Sequence, residues 1–463
     1  MKYDNDQKQA IELAVSGNDL IIEAYAGTGK TTTNFGIAKR CMGKKGVLLT
    51  FNKSMSDENA KSAPRNFKCM TPHSLAFRNV GTDYIDRLKN TFNADELKKN
   101  LNLSDYDLST TETNYLLIGA MNRFCSSSIS NFDSTIIDTS HIHHLKNENE
   151  LTELKNRVSC HLSNIWEEMV HVSSSQSITH DFYLKLYCLG KPKIDTDIIM
   201  LDEAQDATKS VMNLLKTQEC QKIVTGDRFQ SIYGWRGCVN GMKNNFIDMK
   251  THLTHSFRFG NEIAMAANYV LSEHNQAEQA GIIGNPLLKS ELNANVKPDA
   301  IIYRNTFDMI DEVFWSINQG YRPYVIGGII ELYEKINSAM ELKNNKTPFG
   351  RFYDYEDFEE YLNSVKSGKW LTLSKLLKNY SLESLAKVVY EVFVTKIDES
   401  TVLLLSAHKS KGLQFDHVKV SNGFMSPDDR NWNTEEGNLL YVAVTRARLT
   451  LNIESSEAFE YEL

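Results

Sequence analysis

The sequence contains no run of about 18 apolar residues that could span a bilayer, and its opening residues, Met1 to Asp4, lack the apolar core of a signal peptide. Its 7 cysteines are scattered without CxxC spacing, which indicates neither a zinc ribbon nor an iron–sulfur cluster. A positive charge excess is also missing, because the net charge is −8. Any nucleic-acid site must therefore be a local basic and aromatic groove. These absences predict a cytosolic or nuclear protein with no membrane partner.

The residues that are present are typical of a soluble globular protein, with 41% hydrophobic and 24% charged residues. At about 150 residues per domain, 463 residues predict about three compact units. His141, His143 and His144 could hold a metal ion, but they lie among Ser, Asn and Glu residues. A solvated loop is the favoured alternative for that stretch.

Short apolar runs that alternate with helix-compatible stretches predict an α/β fold with parallel sheets. We assign one α/β unit to residues 1–78 and 192–253, and a second to residues 254–334 and 397–463. The intervening residues 79–191 and 335–396 have few strand-like runs, which predicts a helical insertion in each unit. The second insertion is the shorter of the two.

A phosphate-binding loop is predicted where the apolar run Asp19–Glu23 leads into Ala24-Tyr25-Ala26-Gly27-Thr28-Gly29-Lys30-Thr31. Backbone N–H groups and a helix N-terminus would face the phosphates, and the glycines permit that close approach. Lys30 would reach the β- and γ-phosphates, and the hydroxyl of Thr31 would bind Mg²⁺. The alternative is a glycine-rich turn without a ligand.

Two acids, Asp202 and Glu203, follow the apolar run Ile198–Leu201, at the strand end where open α/β sheets bind ligands. Asp202 would hold Mg²⁺ and Glu203 would orient the attacking water. Acids at strand ends are often only solvated turn residues. Together with the phosphate-binding loop, however, they predict an enzyme that hydrolyses a nucleoside triphosphate.

The segments from Asp202 to Asp206 and from Gly226 to Gly237 closely resemble motifs II and III of UvrD/Rep-type superfamily 1 DNA helicases. Further segments resemble other motifs of that family in the same order: Asp6–Ile11 (Q motif), Thr50–Lys53 (Ia), Thr71–Ala76 (Ib), Ser256–Arg258 (IV), Ser406–Leu413 (V) and Leu440–Ala447 (VI). In style the chain is most similar to the helicase core of the F-box DNA helicases, although we identify no F-box. The resemblance implies two RecA-like domains with ATP between them.

The resemblance also implies roles at the nucleotide. Gln7 would read the adenine edge, Phe257 would pack on the base, and Gln230, Arg258 and Arg446 would reach the γ-phosphate. A planar guanidinium suits phosphate oxygens, although surface ion pairing is the alternative for both arginines. The other residues assigned to ATP binding are Ala26, Gly27, Thr28, Gly29, Thr32 and Gln414. Thr32 and Gln414 depart from the arginine and glutamate that are usual at these positions.

For nucleic acid, the resemblance implies stacking by exposed aromatics, which tolerates any base sequence. Isolated aromatics are more often core residues, but Tyr233 and Trp235 directly follow the phosphate-sensing Gln230. The predicted DNA-binding residues are Phe51, Asn52, Lys53, Thr71, His73, Tyr233, Trp235, Arg236 and His408.

The expected function is therefore an Mg²⁺- and ATP-dependent translocase on single-stranded DNA and a helicase at single-strand/duplex junctions, moving 3′ to 5′. In a prokaryote or phage it would be cytoplasmic and associated with the nucleoid. The first alternative is an ATP-gated module that strips proteins from DNA, or recruits a partner nuclease or repair factor, without separating strands. The second, a P-loop kinase for a small molecule, leaves Tyr233, Trp235 and motifs V and VI unexplained.

Overall fold

The structure is a computed structural model that describes residues 3–145, 147–274, 281–345, 347–348, 352–364, 370–430, 432–454 and 456–459. The chain divides into two compact units. The first comprises Met1–Tyr25 and Gly29–Leu253, and the second comprises Ala26–Thr28 and Thr254–Leu463. Within the described residues, no helix is both long and apolar enough to cross a bilayer.

The first unit is built on a six-stranded parallel sheet. Its strands are β1 (Leu20–Ala24), β2 (Gly46–Leu49), β3 (Phe67–Met70), β4 (Ile198–Leu201), β5 (Gln221–Gly226) and β6 (Lys250–Leu253), in the order β3-β2-β4-β5-β1-β6. In register, Leu201 of β4 pairs with Val224 of β5, and Glu23 of β1 pairs with Gly226. The loops that follow β1, β4 and β5 therefore leave from the same edge of the sheet.

In the described part of the first unit, α-helices flank this sheet or lie in the long segment between β3 and β4. They are α1 (Asn5–Val15), α2 (Lys30–Arg40), α3 (Lys53–Ser62), α4 (Pro72–Asn79), α5 (Ala94–Leu97), α6 (Thr110–Ser126), α7 (Glu148–Val170), α8 (His180–Leu189) and α9 (Lys209–Lys216). Local sequence explains where several begin. The hydroxyl of Ser109 and the carboxylate of Glu112 form a reciprocal capping box at the start of α6.

The helices of residues 79–191 share one hydrophobic core with a face of the sheet. Buried side chains of α6, α7 and α8 pack in the same cluster as Leu49, Leu201 and Val224 of the strands. Such a continuous core ties the inserted helices to the sheet that carries them. The assignment of residues 79–191 as a separate subdomain stays a prediction.

The carboxyl end of α6 is held by a buried lysine. Lys185 of α8 donates from its ammonium group to the carbonyls of Ser127 (2.8 Å) and Ile129 (2.6 Å). Ser210 of α9 donates to the carbonyl of Cys125 (2.6 Å). Burial lowers the pKa of Lys185 to about 8, because the interior disfavours its charged form.

The second unit contains another six-stranded parallel sheet. Its strands are β7 (Glu291–Leu292), β8 (Ala300–Tyr303), β9 (Pro323–Val325), β10 (Val402–Ser406), β11 (Phe415–Val420) and β12 (Ala447–Asn452), in the order β7-β12-β11-β8-β10-β9. Its helices are α10 (Asn261–Tyr269), α11 (Thr306–Asn318), α12 (Ile330–Asn345), α13 (Tyr355–Ser364), α14 (Leu371–Leu376), α15 (Leu382–Val394), α16 (Ala407–Ser410) and α17 (Thr434–Val444). The predicted fold class, two parallel-sheet RecA-like domains with helices, is confirmed.

The predicted insertion 335–396 is helical where the structure describes it. It contains α13, α14, α15 and most of α12, which begins five residues earlier, at Ile330. Leu342, Leu373 and Leu385 pack in one cluster with Ile301 of β8 and Leu404 of β10. Part of the predicted segment lies outside the described residues, and its boundaries stay a prediction.

We expect Lys185→Met to lower the free energy of unfolding by about 1–3 kcal/mol at pH 7, because the part-buried carbonyls of Ser127 and Ile129 lose the hydrogen bonds from its ammonium group. This loss should grow as pH rises from about 8 towards the usual lysine pKa of 10.5. In that window the unfolded chain binds a proton that the folded chain has released, so rising pH stabilises only the protein that keeps Lys185.

Urea unfolding at pH 7.5 and 9.5 measures both effects, with the exposed Lys99→Met as the matched control. A difference between the Lys185 variant and the unaltered protein that shrinks with pH would contradict this assignment.

Candidate functional site

The predicted phosphate-binding loop connects β1 directly to α2. Gly27 and Gly29 have φ angles of 75° and 80°, in the left-handed region that favours glycine. Gly29 is the N-cap of α2, which begins at Lys30. The first backbone N–H groups of α2 therefore lie beside Lys30, in the arrangement that binds anions at a helix N-terminus.

Acidic side chains gather around Lys30 at the ends of β4 and β5. The ammonium of Lys30 lies 3.8 Å from a carboxylate oxygen of Glu203. Asp202 and Asp227 are both buried, and burial raises the pKa of each, while the ammonium of Lys30 opposes that rise. Three carboxyl groups thus share one ammonium group.

The surroundings of Asp202 fit a divalent cation. Burial and the neighbouring Glu203 raise the pKa of Asp202, while Lys30 and a hydrogen bond from the Thr31 hydroxyl oppose that rise. The Oδ2 atom of Asp202 is buried without a hydrogen-bond partner among the described residues. A buried carboxylate oxygen without a partner, next to a hydroxyl, is a donor set that Mg²⁺ prefers. Asp202 and Thr31 are thus the residues that would hold the ion.

Glu203 occupies a strained backbone conformation. Its φ of 52° and ψ of 43° are left-handed, which costs a residue with a side chain about 1–2 kcal/mol. Its backbone N–H donates to Oδ1 of Asp202 (3.0 Å), and its carboxylate accepts from the side-chain amide of Gln205 (2.5 Å). Strain of this kind is typical of functional sites, where neighbouring contacts hold the residue in place.

Gln230 lies in the loop after β5 and is tied to Asp227. Its side-chain amide donates to Oδ2 of Asp227 (2.7 Å), and the backbone N–H of Phe229 donates to Oδ1 (3.1 Å). Burial raises the pKa of Asp227, and these donors oppose the rise. Lys30, Thr31, Asp202, Glu203 and Gln230 are therefore brought together within the first unit.

In the second unit, the two predicted phosphate-binding arginines meet at Thr445. Arg258 donates to the carbonyl of Thr445 (2.7 Å), and Arg446 donates to its hydroxyl (3.0 Å). Arg446 is 1% exposed and also donates to the carbonyls of Val442 (2.8 Å) and Leu413 (3.2 Å). Its guanidinium is thus turned inward onto backbone oxygens.

Ala26, Gly27 and Thr28 group with the second unit. The backbone N–H of Phe257 donates to the carbonyl of Gly27 (2.8 Å). A Cβ on Gly27 would lie 2.7 Å from the Cβ of Arg258, so that only glycine allows this approach. Ala26 and Thr28 are buried, and the Phe257 ring is 48% exposed.

The remaining predicted nucleotide residues are Gln7, Thr32 and Gln414. Gln7 is buried and completes a capping box with Asp4 at the start of α1. Thr32 is half-buried in the first turn of α2, and Gln414 is exposed between α16 and β11. The side chain of Gln7 thus caps the N-terminus of α1, in addition to its predicted contact with adenine.

A cluster of aromatic and basic side chains lies on the first unit. The rings of Phe51 and Tyr233 stack with centroids 5.4 Å apart and an interplanar angle of 11°. The guanidinium of Arg236 lies 5.6 Å from the Tyr233 ring and 5.1 Å from the Trp235 ring. Trp235 is 70% exposed. An exposed aromatic next to a cation can stack on a base and attract a phosphate.

The other predicted DNA-binding residues have identifiable local partners. His73 contacts the carboxylate of Asp181 on α8 (2.9 Å). Asn52 and Thr71 are the N-caps of α3 and α4, and each accepts a backbone N–H. The exposed Lys53 is the first residue of α3, and the half-buried His408 lies in α16 of the second unit.

Reasoning from the sequence gave no role to Gln205, Asp227 or Thr445, which the structure links to the predicted site residues. Gln205 and Asp227 lie inside the quoted motifs II and III, and Thr445 lies inside motif VI. The available signal was a polar residue close in sequence to a predicted site residue: Gln205 is two residues after Glu203, Asp227 is three before Gln230, and Thr445 directly precedes Arg446. Burial of each, at 3% exposure or less, distinguishes them from solvated loop residues.

Comparisons with known proteins match both halves of the chain. Residues 3–250 match the UvrD/REP helicase N-terminal domain, and residues 328–458 match the UvrD-like helicase C-terminal domain. F-box DNA helicase 1 of Gallus gallus is 27% identical, covering 98% of this chain and 49% of the relative. F-box DNA helicase protein 1 of Schizosaccharomyces pombe is 28% identical, covering 99% and 58%.

ATP-dependent DNA helicase Rep of Buchnera aphidicola subsp. Baizongia pistaciae is 24% identical, covering 47% of this chain and 36% of the relative. The chain thus spans only about half the length of the two F-box helicases. The family models, by contrast, account for most of its residues, in the order N-terminal domain then C-terminal domain. This chain belongs to the UvrD/Rep helicase family.

Proposed function

We propose that this chain is an ATP-driven translocase that moves 3′ to 5′ along single-stranded DNA and separates strands at junctions. One observation carries the proposal. The loop after β5 holds Gln230 against the carboxylates at Lys30, and three residues later it presents Tyr233 to the aromatic cluster. A single short segment therefore joins the residues suited to ATP with those suited to unpaired bases.

ATP hydrolysis is assigned to the carboxylate cluster of the first unit. Lys30 and the N-terminus of α2 bind the phosphates, and Thr31 and Asp202 hold Mg²⁺, which neutralises charge on the phosphate oxygens when bound. Glu203 orients the attacking water. Its carboxylate is kept in place by the hydrogen bond from Gln205 and by the ammonium of Lys30.

Three further contacts with the γ-phosphate, by Gln230, Arg258 and Arg446, are implied by the family resemblance and stay predictions. The side-chain amide of Gln230 donates to the Asp227 carboxylate, so a small shift of the loop would change the hydrogen-bond partner of this amide. Arg258 and Arg446 share Thr445 as a partner and would move as a pair. An arginine that stabilises phosphoryl transfer can contribute about 10³–10⁵ in rate.

Binding of single-stranded DNA is assigned to Phe51, Tyr233, Trp235 and Arg236. Stacking on an aromatic ring contributes about 1–3 kcal/mol per base and requires no particular base. This suits a motor that must pass every sequence. The 3′-to-5′ direction rests on the family resemblance.

A second candidate function is the stripping of proteins from DNA, or recruitment of a nuclease, without strand separation. The helices α12–α15 favour it, because their apolar side chains are packed into the core of the second sheet. Strand displacement on a tailed duplex and streptavidin displacement from biotinylated single-stranded DNA distinguish the two functions. Activity in the streptavidin assay alone would support the second candidate and contradict unwinding.

We expect Glu203→Gln to keep ATP binding and to lower ATP turnover by about 10²–10⁴, because the amide cannot accept a proton from water. A fluorescent ATP analogue measures binding, and phosphate release measures turnover. The matched control is Glu219→Gln, which removes an exposed carboxylate paired with Lys193. Turnover in the Glu203 variant that equals turnover in this control would remove Glu203 from the mechanism.

We expect Trp235→Ala to weaken binding of an oligo(dT) strand by about 5- to 150-fold, since one stacked base loses about 1–3 kcal/mol. Affinity for ATP should stay unchanged. Fluorescence anisotropy measures the DNA affinity. Tyr353→Ala is the control, because its ring is 72% exposed, close to the 70% of Trp235, but lies outside the aromatic cluster. Equal DNA affinity of the two variants would show that Trp235 does not stack.

A further inference from the structure

We propose that Gln205 is a positioning residue that holds the carboxylate of Glu203 and connects it to the loop carrying the aromatic cluster. Through this connection, DNA bound at Tyr233 and Trp235 changes the rate of ATP hydrolysis. The inference rests on the proposed function and names the side chain through which its two activities communicate.

The side chain of Gln205 bridges two elements. Its Nε2 atom donates to the Glu203 carboxylate (2.5 Å), and its Oε1 atom accepts the backbone N–H of Asp227 (3.0 Å). Its own carbonyl accepts from the hydroxyl of Ser231 (3.2 Å). A side-chain amide carries a donor and an acceptor at one end, which this bridge requires.

The side chain of Gln205 is tightly enclosed by its neighbours. Gln205 is fully buried, and a Cβ on Gly226 would lie 2.4 Å from its Oε1 atom. Glycine at 226 therefore allows the amide to reach the backbone of the next residue, Asp227. Because both polar atoms of its amide already have partners, we place the effect of Gln205 on the reaction through Glu203.

From Asp227 the contacts continue to the DNA-binding cluster. The Asp227 carboxylate accepts from the Gln230 amide (2.7 Å), and Tyr233 follows within the same loop. Tyr233 stacks on Phe51 and lies under the guanidinium of Arg236. If a bound strand displaced this loop, it would also move the backbone N–H of Asp227, which donates to Gln205. Because the backbone of Glu203 is strained, the position of its carboxylate depends on contacts such as the hydrogen bond from Gln205.

The first experiment compares Gln205→Leu with Gln218→Leu. Gln218 is a matched control, because it is also buried and its amide also links two segments: it accepts from the backbone N–H of Ile194 (2.9 Å) and donates to the carbonyl of Leu214 (2.9 Å). Steady-state ATPase rates are measured with and without oligo(dT). DNA affinity and the free energy of unfolding are measured in parallel.

For Gln205→Leu we expect kcat with oligo(dT) to fall on the order of 10²-fold, because a misplaced catalytic group loses about that much. The KM for ATP and the affinity for oligo(dT) should stay close to those of the unaltered protein. Gln218→Leu should lose stability but keep its DNA-stimulated kcat. Equal kcat values in the two variants would overturn the inference.

A Gln205→Glu variant decides the matter if the leucine variant fails to fold. The introduced carboxyl has nearly the same shape and lies beside Glu203, which raises its pKa. Protonated, it donates to Glu203 as the amide does; ionised, it repels Glu203. The DNA-stimulated rate, relative to the unaltered protein at each pH, should therefore rise as pH falls from 8 to 6. A flat ratio would overturn the inference.

The ATPase rate of the unaltered protein, with and without oligo(dT), distinguishes a failure of the proposed function from a failure of the role of Gln205. If oligo(dT) does not accelerate its ATP hydrolysis, the proposed function fails, and the inference fails with it. If oligo(dT) accelerates the unaltered protein and Gln205→Leu equally, only the role of Gln205 is wrong.

Discussion

The structure of the first unit depends on one electrostatic constraint, the contact of Lys30 with acidic side chains at the ends of two parallel strands. Asp202 and Asp227 are buried in the sheet edge, and burial raises the pKa of both. An isolated buried carboxylate is unfavourable unless it finds a cation or donors. Lys30, the Thr31 hydroxyl and three amide N–H donors supply some of these partners. The Oδ2 atom of Asp202, which has no hydrogen-bond partner among the described residues, requires one more.

The parallel sheet is what makes this concentration of charge possible. Because β1, β4 and β5 are adjacent and in register, the loops that follow them converge without any long-range strain. The same geometry places the loop after β5 where its first half contacts the acids and its second half reaches the surface aromatics. The residues proposed to act on phosphate and those proposed to bind unpaired bases thus lie within the ten residues from Asp227 to Arg236.

Much of the fold could be predicted from the sequence, because buried parallel strands appear as short apolar runs. The apolar run Ile198–Leu201 is found as strand β4 at the predicted bounds. The strands Phe67–Met70, Lys250–Leu253 and Glu291–Leu292 were missed, since they lie at sheet edges, where one side is exposed and polar residues are tolerated. Edge strands lack the continuous apolar pattern on which such predictions depend.

Site residues could be predicted where the chemistry requires a particular residue type. They could not be predicted where only the three-dimensional geometry determines the contact. A lysine after a glycine-rich turn and two acids after a strand are visible in the sequence. The bridge by Gln205 is not, because an amide between two loops has no periodicity or spacing of its own. The inward orientation of Arg446 likewise follows from packing around Thr445. Residue roles inferred from motifs therefore needed the structure to show which side chains support them.

The central claim is that one loop makes ATP hydrolysis depend on bound single-stranded DNA. The most direct test is the steady-state ATPase rate of the unaltered protein alone, with single-stranded DNA, and with single-stranded RNA of the same length. We expect the rate to rise several-fold with DNA and to rise less with RNA. A rate that is the same with and without DNA would contradict the account.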